Sequence, residues 1–178
     1  MFTIYLNKSI VFSYKRLLFF VGKAGVVKFK LPDKLVNVSF HVDESYMKMK
    51  TSDLDKTNID LIEGIISKIN KILVGSNIGF TNKIILFGIG FKSWAYKVAN
   101  NTKYLILKIG FSKDLSIEIP SMIKIIILKS TLILFKGVDK NVLNQFVASL
   151  RLLKVPDSYK GKGLRYIEEK IVIKAGKT

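Results

Sequence analysis

The chain has no cysteine among its 178 residues. That removes disulfides, thiolate zinc sites, iron–sulfur clusters and cysteine nucleophiles. A single histidine, His41, leaves almost no material for imidazole chemistry. Arginine is scarce as well, supplying 3 of the 30 cationic residues, and alanine occurs only five times. No long apolar run is present: the longest stretch without a charged side chain runs from Ile72 to Asn82. A bilayer-crossing helix needs about 20 apolar residues, so a membrane span is not expected. The N-terminus, Met1 to Leu6, lacks a charged segment followed by an apolar one, and an Arg-rich transit pattern is absent. If the protein works in an organelle, the expectation is that it is made there.

What remains is lysine and hydrophobic mass. The formal charge is +17 with a pI near 9.9, at 49% hydrophobic residues and a mean hydropathy of +0.29. Disorder requires low hydrophobicity beside high charge, so the chain is expected to fold. Phe, Ile, Lys, Tyr and Asn together make up 80 of the 178 residues. That bias resembles an AT-rich coding sequence, which inflates lysine and hydrophobicity together.

Two periods alternate along the chain. Residues 16–21, 26–30, 35–42 and 46–51 are rich in Val, Ile, Phe and Tyr and predict strands. Leu61, Ile62, Ile65, Ile66, Ile69, Ile72 and Leu73 then form one helical stripe, with Ser52 or Asp53 as the expected cap and Gly75 as the expected stop. The second half repeats this plan. Residues 83–91, 94–99, 104–109, 123–129 and 131–136 predict strands, with Asn100-Asn101 as a hairpin turn. Val142, Leu143, Phe146, Val147, Leu150 and Leu153 mark a helix that starts near Asp139 and must end before Pro156.

Gly22 precedes Leu31-Pro32 by the interval at which Gly110 precedes Ile119-Pro120, and two strands and a helix follow each proline. An internal duplication accounts for this. The expected class is α+β: two tandem duplicated domains, each a small, mostly antiparallel sheet packed with one amphipathic helix. The expected division is 1–77 and 78–178. The first part carries net charge +5 and the second +12, so a polyanionic partner should prefer the second.

Most catalytic patterns fail on spacing. Gly176-Lys177-Thr178 resembles the end of a phosphate loop, but Ile171 stands where its first glycine belongs. Gly88-Ile89-Gly90 starts a dinucleotide fingerprint, and Ser93 breaks it. The adjacent carboxylates Asp43-Glu44 and Glu168-Glu169 do not converge on one substrate and read as solvated turns or helix starts. No enzyme, cofactor or metal site is expected. One segment survives: Pro156-Asp157-Ser158-Tyr159-Lys160-Gly161-Lys162-Gly163-Leu164-Arg165-Tyr166. Its glycines permit close backbone approach, its lysines and Arg165 suit phosphates, and its tyrosines can stack or hydrogen-bond.

This segment resembles, from Pro156 to Tyr166, the C-terminal motif of the L-six family of large-subunit ribosomal proteins, bacterial and organellar type. Phe135-Lys136-Gly137-Val138-Asp139-Lys140 is similar to the family's segment before its last helix. Phe87-Gly88-Ile89-Gly90-Phe91-Lys92 is similar to its Gly-x-Gly-aromatic-basic strand. Gly110-Phe111-Ser112 and Ile119-Pro120 also agree, although Lys113-Asp114 replaces the family's His-Pro. Residues 60–175 carry the likeness. The first 50 carry it chiefly through Gly22-Lys23-Ala24-Gly25, without the family's basic N-terminal arm.

The resemblance implies two duplicated α+β domains and a non-catalytic constituent of the large ribosomal subunit that supports translation. It implies binding to large-subunit rRNA near the sarcin–ricin loop and stalk base, beside the site of translational GTPases, with neighbouring ribosomal proteins as partners. The candidate rRNA-binding residues are Lys92, Arg151, Lys154, Tyr159, Lys160, Gly161, Lys162, Gly163, Arg165, Tyr166, Lys174 and Lys177. A mitochondrial ribosome with the protein encoded in the organelle is the expected setting, with a plastid-type organelle or an AT-rich bacterium as alternatives. The rival class is a peripheral protein that binds anionic membrane surfaces through its lysines. Both helical stripes are needed as core, which leaves no spare amphipathic helix for that role.

Overall fold

A computed structural model describes residues 2–5, 10–14, 17–32, 38–42, 46–51, 56–98 and 102–174. The chain divides into two compact units, Met1–Gly79 with Val138–Lys140, and Phe80–Gly137 with Asn141–Thr178.

The first unit holds six strands and one helix among the described residues: β1 (Phe2–Tyr5), β2 (Ile10–Tyr14), β3 (Leu17–Val21), β4 (Val26–Lys30), β5 (Val38–Val42), β6 (Tyr46–Thr51) and α1 (Lys56–Asn77). They form two antiparallel three-stranded sheets, ordered β1-β6-β5 and β2-β3-β4. In β3, Leu18 and Phe20 point inward and are fully buried. They share a core with Met47 and with Ile62, Ile65, Ile69 and Leu73 of α1. The helical stripe is narrower than the sequence predicts, since Leu61 is exposed and Ile66 and Ile72 are only half-buried. The helix also runs past its expected stop. Gly75 lies inside it, and termination falls to Gly79, whose φ of 80° is left-handed. There the N–H groups of Ile78 and Gly79 both donate to the Val74 carbonyl, at 2.9 and 3.4 Å. The expected caps Ser52 and Asp53 lie outside the described residues.

The second unit contains β7 (Phe80–Phe87), β8 (Lys92–Lys97), β9 (Lys103–Lys108), β10 (Leu115–Ile119), β11 (Ile123–Lys129), β12 (Leu132–Gly137), α2 (Lys140–Leu153) and β13 (Gly163–Tyr166). Its two antiparallel sheets are ordered β10-β9-β8 and β11-β12-β7-β13. Leu143, Val147 and Leu150 bury one side of α2 in a core with Ile84, Leu86, Ile133, Phe135 and Leu164. The Phe146 ring meets Phe135 edge-on at 6.0 Å. The expected turn at Asn100-Asn101 lies outside the described residues; at its base the Val98 N–H donates to the Thr102 carbonyl at 2.9 Å.

The duplication is visible in the connectivity. The order β1-β6-β5 matches β7-β12-β11, and β2-β3-β4 matches β8-β9-β10, with one helix closing each set. Each unit therefore has two sheets where the sequence predicts one. The second adds β13 to the far side of β7, which turns an edge strand into an interior one. No helix among the described residues is long and apolar enough to cross a membrane.

Candidate nucleic-acid interface

The motif Pro156–Tyr166 joins the end of α2 to β13, and its shape is set by Asp157. The Asp157 carboxylate accepts the N–H of Tyr159 at 3.2 Å and of Lys160 at 3.3 Å. Its backbone carbonyl accepts the Gly161 N–H at 2.8 Å, and its own N–H donates to the Lys162 carbonyl at 3.0 Å. An Asp opening a turn in this way stands in for backbone bonds that helix or sheet would supply. Residues 157–162 are therefore a closed turn rather than an extended loop. Gly161 takes a left-handed φ of 66° within it.

The glycines face the protein. Gly161 and Gly163 are both buried, while Lys160 and Lys162 are exposed. A Cβ on Gly163 would lie 2.6 Å from the Pro156 Cα and 2.8 Å from the Lys154 carbonyl oxygen. The segment that comes close to this glycine is thus the chain's own backbone after α2. Leu164 is 1% exposed, pairs with Leu86, and donates its N–H to the Lys154 carbonyl at 2.8 Å. From the other side, the Lys174 N–H donates to the Ser158 carbonyl at 2.8 Å, drawing the following segment back over the turn.

The cations around the turn differ in how free they are. Arg151, in the last turn of α2, is committed: its Nη2 and Nε bind the two oxygens of Glu169, the latter at 3.0 Å. Its guanidinium also lies 5.9 Å from the Tyr166 ring centroid. The same Glu169 accepts the Tyr166 N–H at 3.1 Å. The hydrogen bond from Arg151, above all, holds the Glu169 carboxyl below its ordinary range, and Glu169 in turn raises the Arg151 guanidinium. Glu169 therefore does not read as a solvated turn residue, although its neighbour Glu168 is exposed. Lys154 places its ammonium 5.1 Å from the Phe111 ring centroid, and Arg165 its guanidinium 4.6 Å from that of Phe87. Lys160, Lys162 and Lys174 are exposed and, among the described residues, have no carboxylate partner. Tyr159 is half exposed beside them.

Two predicted residues fall elsewhere. Lys92 is exposed on β8, in the other sheet, opposite Lys108. Lys177 lies outside the described residues. Asp157, Glu169, Phe87 and Phe111 were missed as members of the site. Asp157 had a sequence signal as the turn-forming residue before Tyr159, and Phe87 and Phe111 stand in segments that carry the family likeness; Glu169 is brought in by tertiary contacts alone.

The geometry is that of a braced turn that buries its glycines and presents lysines outward. Residues 95–167 match the family model for ribosomal protein L6. The large ribosomal subunit protein uL6 of Treponema pallidum (strain Nichols) is 32% identical over 162 residues, covering 87% of this chain and 87% of the relative. The chain belongs to the ribosomal protein L6 family. Members of the L6 family are structural components of the large ribosomal subunit, not enzymes. The large ribosomal subunit protein uL6m of Reclinomonas americana is 44% identical over 109 residues, which is 61% of this chain and 56% of that relative. The uL6 of Campylobacter fetus subsp. fetus is 42% identical over the same length, 61% of this chain and 58% of that relative. Against these two, the chain spans little more than half of the relative's length. Organellar and bacterial L6 proteins thus resemble it about equally.

Proposed function

We propose that this L6 protein is a structural constituent of an organellar, mitochondrial large ribosomal subunit and that it binds rRNA through residues 156–174. The observation that carries this reading is the division of labour in the turn. Gly161 and Gly163 are buried, Gly163 against the chain's own backbone, while Lys160, Lys162 and Lys174 stand outward with no carboxylate partner among the described residues. Lysines held on a rigid turn neutralise phosphates and release their counterions. Arg165 and Tyr159 add a planar cation and a ring at its edge. Arg151, spent on Glu169, acts as a brace. The division at residue 77 separates a weakly charged first domain from a second that carries the RNA contacts.

The likeness to the family supports a position near the sarcin–ricin loop and stalk base, next to translational GTPases. The uL6m relative and the Ile-, Lys- and Asn-rich composition support the organelle. The test is incorporation of the tagged full chain into large subunits on a gradient, followed by hydroxyl-radical probing of their rRNA. Lys160→Ala with Lys162→Ala should reduce incorporation and remove protection at one rRNA site. Normal incorporation of that variant, or protection far from the sarcin–ricin loop, would reject the assignment.

A further inference from the structure

The four-stranded sheet β11-β12-β7-β13 closes only one of its faces. Ile84, Leu86, Ile133, Phe135 and Leu164 turn into the core with α2. Alternation sets the residues between them on the opposite face, and the register lines these up in rows. Lys124 stands opposite Lys136, and Lys136 opposite Thr81. In the next row Ile126 faces Leu134, which faces Lys83. Past the bulge at Leu128, Lys129 faces Leu132, Leu132 faces Ile85, and Ile85 faces Arg165. The middle of the face is therefore aliphatic, with Ile126 41% exposed. Its border is cationic, with Lys124 and Lys136 at one end, Lys129 on the β11 side, and Lys83 and Arg165 on the other. The four strands contain no aspartate or glutamate, so every charge they carry is positive and on this face. The four lysines are exposed and have no carboxylate partner among the described residues. Exposed Glu168, beyond the end of β13, lines a cleft with Lys83 but forms no ion pair with it.

We propose that this face docks an acidic amphipathic α-helix of a protein partner. Charge complementarity sets the sign of the occupant, because four lysines stand around the face without a counter-charge. The aliphatic middle sets its class. An RNA duplex would satisfy the lysines but offers no apolar group to cover Ile126 and Leu134, and unpaired bases stack on rings. Phe87 is the one ring these strands turn outward, and Arg165 already lies 4.6 Å from its centroid. A helix with an apolar stripe and acidic flanks meets both requirements. The dimensions agree. β11 and β7 are two strand spacings apart, about 9.6 Å, close to a helix diameter of about 10 Å. The stripe would lie over Ile126, Leu134 and Leu132, with acidic residues on its two sides reaching Lys129 and Lys83. On the inner face, α2 packs in the same manner. This partner lies beyond the proposed rRNA contact and does not depend on it.

Fluorescence anisotropy of the 178-residue chain with a labelled helical peptide tests this. The peptide carries leucine at i, i+3, i+4 and i+7 and glutamate elsewhere. A scrambled peptide of equal composition, a short RNA duplex and phosphatidylglycerol vesicles are the comparisons. Saturable binding of the patterned peptide is expected, about ten-fold tighter than that of the scrambled one. Lys124→Glu with Lys136→Glu should weaken it about ten-fold. Ile126→Ser, with folding checked by circular dichroism, should weaken it about three-fold with every charge kept. Lys23→Glu with Lys28→Glu, an equal change of charge in the first unit, should leave the affinity nearly unchanged, as should Lys160→Ala with Lys162→Ala. Absence of binding, equal binding of the scrambled peptide, an equal loss in the Lys23/Lys28 variant, or unchanged affinity of the Lys124/Lys136 variant would each overturn the proposal. Binding of the RNA duplex or the vesicles that only the Lys124/Lys136 variant loses would assign the face to nucleic acid or lipid and overturn it as well.

Discussion

Gly163 has no room for a Cβ, because the Pro156 backbone would lie within 2.6 Å of it. Gly163→Val should therefore lower the melting temperature in a circular dichroism scan, at a cost of about 2–4 kcal/mol. Lys160→Ala and Lys162→Ala, which remove only exposed side chains, should melt within about 0.5 kcal/mol of the parent. Sequence reasoning recognised that the motif's glycines permit close approach; it did not show that the backbone approaching Gly163 is the protein's own. The Arg151–Glu169 pair gives a pH-dependent prediction. The Glu169 carboxyl is held below its ordinary value of 4.5, so its contribution is present above that pH and is lost as pH falls through the folded value. Denaturant melts should find Glu169→Gln less stable than the parent at pH 7, by about 1 kcal/mol or less because the pair is partly exposed. The difference should shrink below about pH 4. A gap that stays constant down to pH 2 would show that the carboxylate charge plays no part.

At the scale of elements, the two helices were legible and four strands, β1, β2, β10 and β13, were not. The stripes of α1 and α2 repeat every three or four residues, and this local period survives any tertiary arrangement. Ile69 is fully buried at the centre of the first stripe and Val147 at the centre of the second. Ile69→Asp and Val147→Asp should each abolish the cooperative melt of its own unit, since each buries an unpaired charge. The readout is near-ultraviolet circular dichroism together with protease sensitivity of that unit. Strand β13 is different. Four residues, two of them Gly163 and Arg165, carry no strand signal of their own. They become a strand because β7 offers an open edge and Leu164 fills the core beneath it. The stop of α1 shows a similar limit. Gly75 and Gly79 are both glycines in a plausible place, and only the left-handed backbone at Gly79 decides between them.

At the scale of the whole molecule, charge and fold are distributed differently. The two units repeat one connectivity, yet the second part of the chain carries +12 of the +17. In the 178-residue chain, Lys160, Lys162 and Lys174 changed together to Gln should flatten the salt dependence of large-subunit RNA binding, with the slope of log K against log salt falling by about 2. The same change at Lys23, Lys28 and Lys30 should leave it nearly intact. Filter binding at several salt concentrations measures both, and equal losses would mean that net charge alone governs binding.

The sequence by itself determined the α+β class, the duplication, both helical stripes and the basic motif at 156–166, because periodicity, residue spacing and charge are local properties. Only the tertiary structure decided that each unit has two sheets, that β13 completes one of them, and that Arg151 is tied to Glu169 while Lys160 and Lys162 have no carboxylate partner among the described residues. Those outcomes depend on which residues distant in sequence meet, and meeting is governed by the packing of the core against the strand edges.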